Sequence, residues 1–440
     1  MQKKKVYAVS TAHLDTVWRW DLRKTIEEYL PDTLRKNFDL IERYPDYCFN
    51  FEGAFRYQLI EEYYPLAFAE IQNLVKRGNW YPAGACYENG DVNIPSPEAL
   101  FRNILLGNRY FQEKFGVQSK DIFLPDCFGF GQALPSVMKY AGLLGFTTQK
   151  LSWGSAYGVP FTLGYWQGVD GSRVLACPNA RSYRSKFSGD LRGEVSVIDD
   201  VAKNAFEGGL PYAQHLYGTG DVGGAPTEES VQSVCASAAE NGRKDFDVIS
   251  AQSDQIFKDI DALPDSDKDR LPVWNNELLM TSHGAGGYTA RAMGKRLNRQ
   301  CEVLADVAEG TLSTAELLGV YTYPQETVTK AWERLIQHQF HDDLPGTSNM
   351  DIYNTGWNDY HTSLVQLQGE YTGAVGAIAN QLDTQWVTDC ALIVHNPLPF
   401  ARTESVEAHV RLNHNGKYLR VLDRDGNELP SQVIRKEGKA

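Results

Sequence analysis

Cysteine is scarce and scattered. Seven residues (Cys48, Cys86, Cys127, Cys177, Cys235, Cys301 and Cys390) stand in a chain of 440, with no Cys-x-x-Cys pair among them. That spacing excludes a disulfide framework and a thiolate zinc site, and it reads as a set of reduced intracellular thiols. Positive charge is also in deficit. Lys plus Arg number 43 against 56 Asp plus Glu, a net charge of −13 with no long basic run, so a nucleic-acid backbone has no footprint here. No stretch approaches the ~18 apolar residues of a membrane span. The apolar part of the amino-terminal MQKKKVYAVSTAHLD is too short and too soon interrupted for a signal peptide. The expected location is therefore cytoplasmic, with neither nucleic acid nor membrane as partner. Repeats of solenoid length and low-complexity tracts are missing as well.

Aromatics are plentiful: 12% of the chain, with 23 Tyr and 9 Trp, rings whose apolar faces and polar edges suit stacking on sugars or bases. At ~100 to 200 residues per domain the length predicts two or three domains. A hydrophobic content of 42% gives each a core, and homo-oligomer formation is left open.

Val6 to Ser10 reads as a short buried strand followed by the polar Thr11 to Asp15, which places His13 and Asp15 at its carboxyl end. A helical pattern runs from Phe55 to Arg77. A second begins at Ser96, whose hydroxyl can cap while Pro97 takes the first turn, and reaches Phe115. Asp121 to Pro125 is the next strand, followed by a Gly-rich turn over Phe128 to Gln132 and a helix over Leu134 to Leu144. Strands alternating with helices predict parallel pairing, with ligands at the carboxyl ends of the strands. From Arg291 the pattern becomes helical: Arg291 to Leu318, Glu326 to Phe340 and Tyr360 to Leu382 form a bundle. After Thr384 strands are expected at Leu392 to His395, Val406 to Arg411 and Leu419 to Leu422, with turns at Asn415-Gly416 and Asp425-Gly426. The predicted organisation is a layered, seven-stranded-type α/β catalytic domain with a parallel sheet over residues 1–289, an α-helical bundle over 290–384, and the start of a β-rich domain over 385–440.

Five segments could carry chemistry. In AHLDTVWRW (12–20), His13 and Asp15 offer a nitrogen and an oxygen to one metal, although a bare His-x-Asp more often packs locally while its Asp caps a helix. In FLPDCFGFGQALP (123–135), Asp126 sits at a strand end beside Phe128 and Phe130. It could be ligand, base or nucleophile, or simply a turn residue before two glycines. In LIQHQFHDDLPGTS (335–348), Asp342 and Asp343 crowd a helix carboxyl end, which costs ~0.3 to 1 kcal/mol unless a cation offsets it. His341 lies beside them, and His338 is read as structural. YGTGDVGGAPTEE (217–229) and NNELLMTSHGAGGYTAR (275–291) each hold an ionisable group among glycines, and either could be a flexible surface turn.

In this order and at these separations the segments resemble glycoside hydrolase family 38, the zinc-dependent α-mannosidases, over nearly the whole chain. The resemblance rests on His13, Asp15 and Trp18; on Asp126, Phe128, Gly129, Leu134 and Pro135; on Gly220, Asp221, Gly223, Gly224, Pro226 and Thr227; and on His341, Asp342, Leu344, Pro345, Gly346 and Thr347. It implies a zinc ion held by His13, Asp15, Asp126 and His341 that gathers vicinal hydroxyls of a mannose ring, with Asp126 also the nucleophile. It places Trp18, Phe128, Asp342, His283 and Tyr288 against the sugar. The proton donor is open between Asp221, ranked first, and Glu277, because Thr281 stands two before His283 where many relatives have an acid. The family continues into a large β domain, so a longer enzyme is expected. The implied activity is retaining hydrolysis of terminal α-linked mannose from glycans or mannosides. The alternatives are a metal-dependent polysaccharide deacetylase-like hydrolase, whose metal keeps a position open for water, and a sugar-binding protein without catalysis.

Overall fold

The computed structural model describes residues 3–411 and 419–435. Strand Lys4–Ala12 is buried from Val6 onward, on both faces, which is why its apolar run is nearly unbroken. It pairs in parallel with Tyr212–Thr219 along Lys5 to Ala12, and on its other side with Phe246–Ser250 and then Phe49–Glu52. Trp80–Ala83 continues the sheet beside Phe49–Glu52. A second five-stranded sheet contains the parallel strands Asp121–Phe123, Gly145–Thr147 and Arg173–Cys177, then the antiparallel Gly164–Gln167, edged by Val273–Trp274. The α/β class with parallel pairing is thus as the alternation predicts, its strands shared between two sheets.

Helix Pro97–Phe115 starts where its cap predicts, with the Ser96 hydroxyl accepting from the Ala99 amide at 3.2 Å. The pattern from Phe55 to Arg77 splits into Ala54–Tyr63 and Pro65–Arg77, because the Pro65 ring cannot continue the preceding helix. The later helices are Ala292–Leu317, Gln325–Gln337 and Met350–Ala379. The chain divides into two compact units, one of residues 1–306 with 324–369, the other of 307–323 with 370–440. Among the described residues of the second unit only Val421–Leu422 and Glu428–Leu429 pair, around the Asp425-Gly426 turn. Leu392 to His395 and Val406 to Arg411 form no strand, which corrects the expectation: they are mostly exposed and no partner strand among the described residues completes a ladder. Asn415-Gly416 lies outside the described residues. No helix among the described residues is long and apolar enough to cross a membrane.

At the amino end of its strand, Asp121 is fully buried and close enough to Asp254 to feel its charge. Asp254 in turn accepts from the Tyr81 hydroxyl at 2.7 Å and pairs with Lys258 at 2.8 Å. Burial first, and Asp254 second, push the Asp121 carboxyl up to about 7, against hydrogen bonds from Ser119 and Ser253. A folded pKa above the unfolded value means stability present in acid and lost as pH rises through about 7. We expect Asp121→Asn, which removes the titration, to raise the thermal midpoint at pH 8 and to change it little at pH 4. Of the order of 4 kcal/mol is at stake. Equal shifts at both pH values in a melting series would refute this origin.

Candidate active site and metal centre

Parallel register brings the first pieces together. Ala12 stands beside Thr219, so as the two strands end the His13 amide donates to the Thr219 carbonyl at 3.1 Å and the Asp15 amide to the Asp221 carbonyl at 2.8 Å. Asp126 follows Asp121–Phe123 by three residues. His341 arrives from beyond helix Gln325–Gln337: its amide and its Nδ1 both donate to the Asn89 carbonyl, at 3.2 and 2.8 Å. The result is a buried group of His13, Asp15, Asp126 and His341 whose ligand atoms all lie within 4.8 Å of one another.

The donor set fits a divalent metal. His13 Nδ1 donates to Glu52 Oε1 at 2.7 Å, so in both imidazoles Nδ1 is engaged and Nε2 faces the cluster. His13 Nε2 lies 3.0 Å from Asp15 Oδ1, and His341 Nε2 lies 3.3 Å from that same oxygen. His341 Nε2 has no hydrogen-bond partner although it is fully buried. Two nitrogen lone pairs facing a carboxylate repel it, so something positive must sit between them. The charge balance agrees. Burial disfavours a charged His13, yet Asp15 and Glu52 outweigh it and push the imidazole up to about 10. His341 rises well above its ordinary value, against burial, through Asp15, Cys127 and Asp342. Burial likewise opposes a charged Asp15, but His13 and His341 hold its carboxyl well below the usual range. A metal with nitrogen and oxygen ligands meets the same demand, and ~2.0–2.2 Å bonds need only modest contraction of the cluster.

Further groups flank Asp126. Its Oδ1 forms a buried ion pair with Lys150 Nζ and lies 3.4 Å from the Tyr183 hydroxyl, while its Oδ2 is 4.0 Å from His341 Nε2. The Tyr183 hydroxyl also donates to Asp221 Oδ1 at 2.9 Å, and Arg184 pairs with Asp221 Oδ2. Asp342 Oδ2 is 3.8 Å from His341 Nε2, and its Oδ1 accepts from Thr347 at 2.5 Å. Burial, then Asp15, push its carboxyl up to about 7.

Phe128 is buried with its ring edge-on to His341, the centroids 6.0 Å apart, and it also meets His283. Gly284 packs so closely on Phe128 that a Cβ would overlap the ring, which accounts for a glycine there. Trp18 is part-buried, and the Arg19 guanidinium covers its ring at 4.1 Å. The Tyr288 hydroxyl donates to Asp91 at 2.5 Å. Glu277 lies before strand Leu278–Leu279, and among the described residues no hydrogen bond or ion pair joins its carboxylate to this cluster. His338 is clamped between Asp343 at 2.7 Å and Asp359 at 2.9 Å, bracing the turn that carries His341.

Sequence reasoning passed over Lys150, Tyr183, Arg184, Glu52, Arg56 and Glu88. Arg56 is fully buried. It donates to the Leu14 carbonyl at 2.9 Å and pairs with Glu88 at 3.1 Å, fixing the loop between His13 and Asp15. None of these residues belongs to a recognisable spacing. The one available signal was the position of Glu52, at the carboxyl end of a strand neighbouring the first.

A family profile described as the glycosyl hydrolases family 38 N-terminal domain matches residues 3–277, and one described as the alpha mannosidase middle domain matches 283–378. Among curated proteins, human alpha-mannosidase 2C1 is 31% identical over 402 residues, 91% of this chain and 37% of that protein. Alpha-mannosidase G of Dictyostelium discoideum is 31% identical over 379 residues, 86% of this chain and 34% of that protein. The chain thus spans about a third of the length of these relatives. A crystal structure of an alpha-mannosidase from Enterococcus faecalis V583 superposes with a TM-score of 0.70 at 20% identity, covering 86% of this chain and 43% of that one; this likeness is one of fold.

The Glu52 contact generates a test. Glu52→Ala leaves His13 Nδ1 without its acceptor and frees the ring to turn, so affinity for a divalent metal should fall about 10–100-fold. Competition with a chromophoric chelator measures it, and an unchanged dissociation constant would remove Glu52 from the metal's support.

Proposed function

Because the chain belongs to glycosyl hydrolase family 38, we propose that it is the metal-binding part of a retaining α-mannosidase that removes terminal α-linked mannose from glycans or mannosides. The observation that carries the reading is the placement of Asp126 between the metal-ligating cluster and a second carboxylate, Asp221, both in reach of the Tyr183 hydroxyl. Retaining hydrolysis needs two carboxyl groups ~5 to 5.5 Å apart, and here both carboxylates lie within 3.4 Å of one hydroxyl. Zinc, held by His13, Asp15, Asp126 and His341, supplies a Lewis-acidic anchor for sugar hydroxyls when bound.

In this reading an oxygen of Asp126 bonds to C1 of the mannose as the bond from C1 to the leaving oxygen breaks, and Asp221 gives its proton to that oxygen. Water then adds to C1, Asp221 takes the proton back, and the ester to Asp126 is cleaved. Lys150 stands where negative charge returns to Asp126 in the second step, a fixed cation in a dry site. Arg184 and Tyr183 hold Asp221 as a carboxylate, so one of its oxygens must leave these donors and take up the proton that it then gives to the glycosidic oxygen. Asp342 accepts sugar hydroxyls, and Phe128 and Trp18 supply apolar walls. Glu277 is the other donor to be tested.

We expect proton NMR of early turnover to show the α anomer first, because two displacements restore configuration; a first-formed β anomer contradicts the assignment of Asp126. Chelation should abolish hydrolysis of an aryl α-mannoside and added zinc restore it. Asp221→Ala should lose about 10²- to 10⁴-fold on a mannose disaccharide, yet keep most activity on dinitrophenyl mannoside and yield mannosyl azide with added azide. Should Glu277→Ala behave in this way instead, the donor is Glu277.

A further inference from the structure

Trp153 lies outside every segment that the sequence singles out, and its indole is 48% exposed. Its surroundings nonetheless fix it. The indole Nε1 donates to Gln149 Oε1 at 3.2 Å, and Gln149 Nε2 donates to the carbonyl of Pro125, the residue before Asp126, at 2.9 Å. Lys150 Nζ, paired with Asp126, is 5.1 Å from the Trp153 centroid and 5.3 Å from that of Phe128. One ammonium group therefore spans the gap between the half-exposed indole and the carboxylate. The His283 ring also meets Trp153, tilted against it, with centroids 4.9 Å apart and planes at 47°.

Two loops are zipped together to make this arrangement. Ser282 Oγ donates to the Trp153 carbonyl at 3.1 Å, and the Thr281 amide donates to the Gly154 carbonyl at 2.9 Å. Gly154 has φ +131°, and a Cβ there would collide with the Ser282 side chain, so the close approach requires glycine. His283 itself takes φ +54°, a costly conformation for a residue with a Cβ. Strained backbone thus keeps an aromatic face open to solvent beside a reactive carboxylate. A ring already held in place loses little freedom on binding, and an indole face matches the apolar CH face of a pyranose.

We propose that Trp153, with His283 at its edge, is the stacking platform for the sugar ring on the leaving-group side of the bond that is cleaved. The assignment rests on the α-mannosidase reading, in which the mannose itself is bound at Asp126. The ring attached through the glycosidic oxygen then falls about one sugar's breadth away, the span that Lys150 bridges between Asp126 and Trp153. Tyr157, 51% exposed and paired with Trp274 at 6.1 Å, continues the aromatic surface outward.

The test compares substrates whose leaving groups do and do not carry a ring. For Trp153→Ala, kcat/KM on an α-linked mannobiose should fall about tenfold or more, mainly through KM, with the loss on α-mannosyl fluoride no more than about twofold; Trp153→Phe should recover most of the difference. Equal losses on both substrates would make Trp153 a structural residue, and no loss on the disaccharide would remove it from the site; either overturns the proposal. If wild-type protein hydrolyses neither substrate, the α-mannosidase reading fails on its own account. The disaccharide then persists, its dissociation constant is measured by calorimetry, and a value unchanged by Trp153→Ala overturns the platform while a roughly tenfold weakening supports it.

Discussion

Buried negative charge around one point is the constraint from which the rest of the site follows. Asp15, Asp126 and Asp342 are each nearly inaccessible to solvent, and two imidazoles turn their Nε2 atoms toward the same place. Without a central cation such a group must gather protons, which is what the raised His13, His341 and Asp342 values express. A divalent ion does the same with neutral imidazoles and reverses the local proton affinities. The surrounding cations are placed to complement it rather than replace it: Lys150 takes only one oxygen of Asp126, and Arg184 is given to Asp221.

Holding that charge in place requires a scaffold that does not yield. The loop between His13 and Asp15 is fixed from three sides: by the register of Lys4–Ala12 against Tyr212–Thr219, by Glu52 on His13, and by the Arg56 guanidinium on the Leu14 carbonyl. His341 is held by another device. Phe340 bridges to Gly90, the Asp91 amide donates to the Gln339 carbonyl, and Lys295 donates to the carbonyls of Leu344 and Pro345. Burial lowers the pKa of Lys295, but four carbonyls, including Gly287 and Ala290, receive its ammonium. That one lysine therefore ties the glycine-rich turn at 283–290 to the turn after His341.

What was legible in the sequence follows from this division. His13, Asp15, Asp126 and His341 are recognisable because strand ends and helix ends put ionisable groups in short, unusual strings, and four such strings in order carry more than any one. Ser96 announced its helix boundary for a local reason, whereas the equally local break at Pro65 was read through as one continuous helix. Lys150 and Arg56 carried no such mark, since a lysine or arginine becomes meaningful only when folding buries it beside a carboxylate. The strands expected at Leu392 to His395 and Val406 to Arg411 failed for a related reason. Alternation reports a face that could be buried, whereas a strand exists only when a neighbour completes its hydrogen bonds.

The same reasoning separates the two carboxylates considered as proton donor. Asp221 reaches its position through backbone: it has φ +71°, its carbonyl accepts the Asp15 amide, and Leu14 bridges to Val222 immediately beyond it. A shift of the loop that carries Asp221 would therefore disturb Asp15, so the geometry of the His13–Asp15–Asp126–His341 cluster and that of the second carboxylate are mechanically coupled. Glu277 has a different anchorage, in front of the short strand Leu278–Leu279 that pairs with Gly129–Phe130, just after Asp126. Its backbone is tied to the segment just after Asp126, but among the described residues no hydroxyl joins its side chain to Asp126 as that of Tyr183 joins Asp221. In the proposed mechanism the donor keeps its distance from Asp126 through two proton transfers, and of the two candidates it is Asp221 that has, among the described residues, a direct link of that kind.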